Sequence, residues 1–172
     1  MGMKDICDEF GNVVNSLARQ RCWSVIAGKG SGSRVGIDIG DKVRRRKPIE
    51  NPYLSIEQQH FRGKFRLSIE DCAWRLNSAT EIICASTSDN ANEGPLVRGL
   101  QRIVGVYIKS VEFSFPTFDL TVNFSNGLTL YLFCDQCNSF DLANNYSLTY
   151  LDQMFVIGTN SQLSKLYLSL PV

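Results

Sequence analysis

The stretch Phe118–Cys134 constrains the fold more than any other part of the chain. Phe118, Leu120, Val122 and Phe124 alternate with Asp119, Thr121 and Asn123; Leu128, Leu130, Leu132 and Cys134 alternate with Thr129, Tyr131 and Phe133. A period of two marks strands with one buried face. Ser125-Asn126-Gly127 joins the runs. A two-residue Asn-Gly turn would set Ser125 opposite Leu128 and Val122 opposite Tyr131, mixing the apolar stripe of one strand with the polar stripe of the other. A three-residue loop sets Phe124 opposite Leu128, Val122 opposite Leu130, Leu120 opposite Leu132 and Phe118 opposite Cys134. All four apolar pairs then share one face, the register that burial selects. Gly127 supplies the left-handed residue of a G1-bulge turn. The three-residue loop is therefore expected.

The rest of the chain carries the same strand signal. Trp23–Ala27 and Val35–Ile39 flank the glycine-rich Gly28–Ser33. Phe65–Ile69, Trp74–Leu76, Ile82–Ala85, Ile103–Phe113, Tyr146–Leu148, Met154–Gly158 and Leu163–Leu170 read as extended, as does Tyr53–Ile56. Two segments read as helix. Ile6, Phe10, Val13 and Leu17 fall on one face of residues 4–19, and Pro95 opens a short helix carrying Leu96 and Leu100. Strands dominate and βαβ alternation is missing, so the expected class is mainly β (α+β), with antiparallel sheets and an N-terminal amphipathic helix. Gly28–Ser33 lacks the GxxxxGK[ST] spacing of a Walker loop and precedes a strand, so it reads as a flexible hairpin turn.

Self-comparison suggests two related halves. Gln20–Val25 matches Gln101–Val106 at a separation of 81, and Gly36–Asp41 matches Val122–Gly127 at 86. Trp74–Leu76 matches Tyr146–Leu148 at 72, as Ile82–Ala85 matches Met154–Ile157. The 172 residues are thus expected to form one domain of two pseudo-repeats, 1–90 and 91–172, with a basic insertion at 42–71 in the first.

The charge balance hides a division. The chain has 18 Lys+Arg and 17 Asp+Glu, yet Arg19–Arg75 holds 13 cations against six carboxylates. Ser110–Ser164 holds no cation, five carboxylates and ten of the aromatic residues. Arg44, Arg45, Arg46 and Lys47 form a cationic run that reads either as an anion-binding patch or as a solvated loop. The run is short and no nucleic-acid motif accompanies it, so nucleic acid is not the expected partner. Asp119, Tyr131, Phe133, Asp135 and Asp141 are the candidate partner-binding residues, since acidic groups around aromatic anchors complement a basic protein.

Chemistry that needs histidine or paired metal ligands is weakly provided. His60 is the sole histidine, in a segment that reads as loop, and Cys134-Asp135-Gln136-Cys137 is the sole CxxC. There is no HExxH, GxSxG or dinucleotide fingerprint. No apolar run spans a membrane and no secretory h-region is visible. Reduced cysteines packed as small hydrophobes, a cytoplasmic location and no cofactor are expected.

Asp119-Leu120-x-x-x-Phe124-x-x-Gly127-x-x-Leu130-x-x-Phe133, followed by an aromatic-x-Leu strand, resembles small β-rich bacterial proteins, uncharacterised in themselves. Some of these are similar to immunity proteins of toxin–antitoxin or contact-dependent competition systems. Trp74-Arg75-Leu76 resembles the same element, and the likeness runs in outline from Gln20 to Ile157. The insertion at 42–71 departs from it, and no functional residues transfer. The resemblance implies a non-enzymatic protein-binding module, of which an immunity protein neutralising a basic toxin is one form. The alternatives are a nucleic-acid-associated protein using 44–47, and a small Cys-dependent or metal-binding enzyme using Cys134, Cys137 and His60.

Overall fold

The computed structural model describes residues 2–32, 34–136 and 143–168. The helix α1 (Met3–Asn15) forms where the apolar spacing requires it: Phe10, Val13, Val14 and Leu17 are buried. Its first turn is capped by Asp5, whose carboxylate accepts from the Gly2 N–H at 2.8 Å. Strands β1 (Cys22–Ile26) and β2 (Val35–Arg44) follow, with 28–32 as the hairpin connection between them.

The expected strand at Tyr53–Ile56 does not form. Ser55 Oγ accepts from the Gln58 N–H (3.2 Å), and Gln58 Oε1 accepts from the Ser55 N–H (3.0 Å). This capping box starts the short helix α2 (Ile56–His60) instead. His60 is therefore the end of a helix rather than loop, and its Nδ1–H donates to Ile56 O at 2.8 Å. Then come β3 (Phe61–Ile69), β4 (Ala73–Asn77), β5 (Ile82–Ala85) and α3 (Pro95–Gln101). The strand expected over Ile103–Phe113 begins only at Ile108. Residues 102–105 form the turn that ends α3, with Ile103 N–H on Leu100 O (3.2 Å) and Gly105 at φ 86°.

The chain continues through β6 (Ile108–Phe113), β7 (Leu120–Phe124), β8 (Thr129–Phe133), β9 (Asn144–Tyr150), β10 (Gln153–Gly158) and β11 (Leu163–Tyr167). The β7–β8 hairpin has the three-residue loop. Leu120 pairs with Leu132 and Val122 with Leu130, the Phe124 N–H donates to Leu128 O (2.8 Å), and Gly127 sits at φ 81°. The outermost pair is held by a side chain: Cys134 Sγ–H donates to Phe118 O at 3.4 Å.

The fold is mainly β. Among the described residues one antiparallel sheet has the order β1-β2-β3-β9-β10-β11, and a second has β5-β4-β8-β7-β6. One hydrophobic cluster unites them: Ile37, Leu67, Leu148 and Phe155 come from the first sheet, and Leu76, Val122 and Leu130 from the second. Phe10 of α1 and Leu100 of α3 close the same cluster. The chain changes sheets twice, between β3 and β4 and between β8 and β9, so each sheet contains strands from both sides of residue 90.

The join between the sheets is reciprocal. Arg19 N–H donates to Ile108 O (2.8 Å), while Gly105 N–H donates to Cys22 O (2.6 Å). Cys22 N–H donates to Val106 O (2.9 Å), while Ile108 N–H donates to Gln20 O (2.8 Å). These bonds surround an antiparallel bridge between Arg21 and Tyr107. Here residues separated by 86, not 81, take matching places, since Arg19 corresponds to Gly105 and Cys22 to Ile108. No helix among the described residues is long and apolar enough to cross a membrane.

Candidate functional site

Alternation along β8 buries Leu130 and Leu132 and turns Thr129, Tyr131 and Phe133 outward. Strand pairing then builds the outer face of the second sheet. One row runs Ala85, Arg75, Tyr131, Thr121, Glu112 across five strands. Phe133 lies opposite Ala73 at the end of β4. The Arg75 guanidinium lies 5.4 Å from the Tyr131 ring centroid and 5.3 Å from that of Phe133. The two rings are themselves stacked, 6.4 Å apart. Arg75 and Phe133 are exposed and Tyr131 is half-buried. A cation over a ring at the surface contributes about 0.5–1 kcal/mol, which favours the packed arrangement of these side chains in the free protein.

Asp119 and Asp135 have structural duties. Asp119 Oδ1 accepts from the Cys134 N–H (2.7 Å), and its Oδ2 accepts from the Thr117 hydroxyl (3.1 Å). Asp135 Oδ1 accepts from the Ala73 N–H (3.2 Å). Both carboxylates close backbone groups at one end of the second sheet, beside Phe133. Asp141 and Cys137 lie outside the described residues. Arg75 was missed by sequence reasoning. It occupies the outward position between Trp74 and Leu76, but only the β4–β8 pairing reveals that it meets Tyr131.

The cationic run does not form one patch. Arg44 ends β2 and is exposed, as are Arg46 and Lys47. Arg45 turns inward, its Nε donating to Phe61 O at 3.1 Å. Burial lowers its pKa, and the neighbouring Arg66 lowers it further. The denser basic surface is the outer face of β3, where Arg62, Lys64 and Arg66 alternate with buried residues. Arg66 Nη1 donates to the fully buried Asp38 at 2.9 Å.

The described cysteines, Cys7, Cys22, Cys72, Cys84 and Cys134, are free thiols. Burial pushes Cys134 up to about 12, helped by Asp119 and Asp135. It likewise raises Cys22 to about 12 and Cys84 to about 11, and raises Cys72. A thiol this far above neutral pH is protonated and a poor nucleophile. Among the described residues no group of three or more His, Cys, Asp or Glu is placed to hold a metal ion.

Comparison with protein-family models, with curated proteins and with solved structures gives no match for this chain.

Proposed function

We propose that this protein is a non-enzymatic protein-binding module that docks its partner on the outer face of the second sheet, around Arg75, Tyr131 and Phe133. The observation that carries this reading is the stacking of Arg75 on both exposed-side rings. Arg and Tyr are the residue types that dominate binding energy at interfaces, and side chains ordered before contact lose less entropy on docking. Asp119 and Asp135 add negative charge at one end of this face, which favours a basic partner. An immunity-type protein that occludes a bacterial toxin is the specific form of the proposal.

The two interlocked halves are read as copies of one β unit. The reciprocal bonds around Arg21 and Tyr107 support that reading. The copies have diverged: only the first carries the insertion between its second and third strands. Among the described residues the second sheet's outer face is the plainer one, with Arg75 and Phe133 exposed on it.

The test places a photo-crosslinking residue at Tyr131 and, separately, at Tyr53 in the insertion, in the protein's native cells. The expected result is one dominant adduct from position 131 that position 53 does not give. The recombinant pair should bind, and Arg75→Ala with Phe133→Ala should weaken it more than tenfold while leaving the fold intact. Inhibition of a toxic activity of the captured protein would establish the immunity form. Equal labelling from both positions, or unchanged affinity in the double variant, overturns the proposal.

A further inference from the structure

The first sheet carries a different feature. Two neighbouring cavities lie at the glycine-rich connection between β1 and β2, and both are lined by Ile26, Gly30 and Ser31. The larger, about 650 Å³, is lined by apolar groups with Lys29, Asn51, Tyr53 and Asn92 around them. The smaller, about 430 Å³, is lined by Arg34, Arg66, Ser68 and Glu70 over the bare backbone of Gly36.

Each cavity has the chemistry of half a ligand. Tyr53 is 84% exposed, an unusual placement for an aromatic ring. Its ring edge packs beside Gly30, where a Cβ would sit 3.8 Å away. The segment beneath it is fixed rather than loose. Gln59 Nε2 donates to Asn51 O (3.1 Å) and to Leu54 O (3.0 Å), and the Tyr53 N–H donates to Asn51 Oδ1 (2.9 Å). The result is an aromatic platform with amide side chains at its margin, the combination that stacks and hydrogen-bonds a heterocyclic base.

The smaller cavity suits a phosphate. A Cβ at Gly36 would meet Arg66 Nη2 at 2.3 Å, so the bare backbone there leaves the guanidinium its room beside the cavity. The guanidinium thus lies against Gly36 at the cavity wall, with Asp38 accepting from its other terminal nitrogen. Arg34 stands opposite, its contact with Glu70 a loose 3.8 Å. Arg66, Arg62 and Asp38 are charged neighbours of Arg45, and among the described residues Arg45 Nη2 and Arg62 Nη1 are buried with no hydrogen-bond partner. Three guanidiniums grouped with the buried carboxylate of Asp38 leave an excess of positive charge among the described residues that Glu70 offsets only in part. Planar guanidiniums match a phosphate in shape as well as charge.

We propose that this double cleft binds a nucleoside phosphate, its base stacked on Tyr53 and its phosphate held between Arg34 and Arg66. A free nucleotide and a nucleotide unit of a single strand present the same chemistry, and the test separates them.

The full chain is titrated by calorimetry with the four nucleoside 5′-monophosphates, with inorganic phosphate, and with a mixed-sequence single-stranded RNA octamer. The expected result is saturable binding of at least one monophosphate, roughly tenfold or more tighter than inorganic phosphate, as stacking adds that much. Tyr53→Ala should remove the advantage over phosphate, and Arg34→Ala should weaken monophosphate and phosphate alike. Both side chains are exposed, so an unchanged melting temperature shows that the variants fold. Octamer binding much tighter than any monophosphate, with a steep salt dependence, assigns the cleft to single-stranded nucleic acid. Comparable affinities assign it to the free nucleotide. Absence of binding at millimolar ligand, monophosphate binding no tighter than phosphate, or binding indifferent to Tyr53→Ala and Arg34→Ala overturns the proposal.

Discussion

Arg66 reaches across from β3 to donate to Asp38 on β2 at 2.9 Å, and Asp38 is 0% exposed. Asp38 also accepts from the Gly63 N–H at 3.0 Å, so both carboxylate oxygens are engaged. The second sheet solves the same position differently. Asn123 on β7 accepts from the Thr129 hydroxyl (2.9 Å) and donates to the Ser110 hydroxyl (3.0 Å). Asp38 lies between Ser24 and Arg66, as Asn123 lies between Ser110 and Thr129. One sheet has an ion pair where the other has a neutral hydrogen-bond chain.

That contrast predicts the response to substitution. Asp38→Ala leaves Arg66 without its counter-ion and the Gly63 N–H without an acceptor. A loss of about 3–5 kcal/mol is expected from breaking such a pair. The double variant Asp38→Asn, Arg66→Thr copies the neutral arrangement and should recover at least half of that loss. Urea unfolding of the three proteins decides it; a single variant within 1 kcal/mol of the parent would refute the account.

Two helical glycines should respond in opposite directions. A Cβ on Gly99 in α3 would lie 2.5 Å from Cys84 Sγ and 2.8 Å from Cys84 Cβ, so Gly99→Ala must push α3 off β5. The expected cost is about 1–3 kcal/mol. A Cβ on Gly11 in α1 would meet only the Phe113 ring, at a comfortable 3.7 Å. Gly11→Ala should therefore stabilise by about 0.5–1 kcal/mol through helix propensity. Thermal unfolding should show one melting temperature lowered and the other raised.

The β7–β8 turn was legible because only one register buries both apolar stripes, and the structure adopts it. Gly127 at φ 81° has open space around it, with no atom near a Cβ position. Gly127→Ala should thus cost about 1–2 kcal/mol from backbone strain alone, and Gly127→Asn clearly less. Equal losses for both variants would point to a steric cause instead.

Other features were hidden for identifiable reasons. The Ser55-x-x-Gln58 cap was present in the sequence, but the β-branched and aromatic residues around it carried a stronger strand signal. The helix–strand junction after α3 looked extended because Ile103, Val104 and Val106 are β-formers, while Gly105 at positive φ broke the run. The docking face required Arg75 and Tyr131 to be neighbours across β4 and β8, residues 56 positions apart, and no local pattern encodes that pairing. The cleft beside Gly30 draws on the β1–β2 connection, the insertion and β3, so it exists only once these are assembled.

The buried and half-buried thiols make stability fall in alkali. Cys22 and Cys134 are held near 12 and Cys84 near 11, against the ordinary 9.0, chiefly because burial disfavours the thiolate. Burial raises Tyr146 as well. An unfolded chain loses these protons from about pH 9, whereas the folded chain keeps them. Between pH 9 and 12 the folded state therefore binds more protons, and stability decreases as pH rises. It should be fully present near pH 7–8 and drop by on the order of 1 kcal/mol per buried thiol for each pH unit above 9. Urea midpoints measured under reducing conditions from pH 7 to 10.5 should be level at first and then fall. Cys22→Ala should make the fall shallower, because one of the protons that the fold retains is gone. A midpoint that stays level to pH 10.5 would show that these thiols ionise without opening the core.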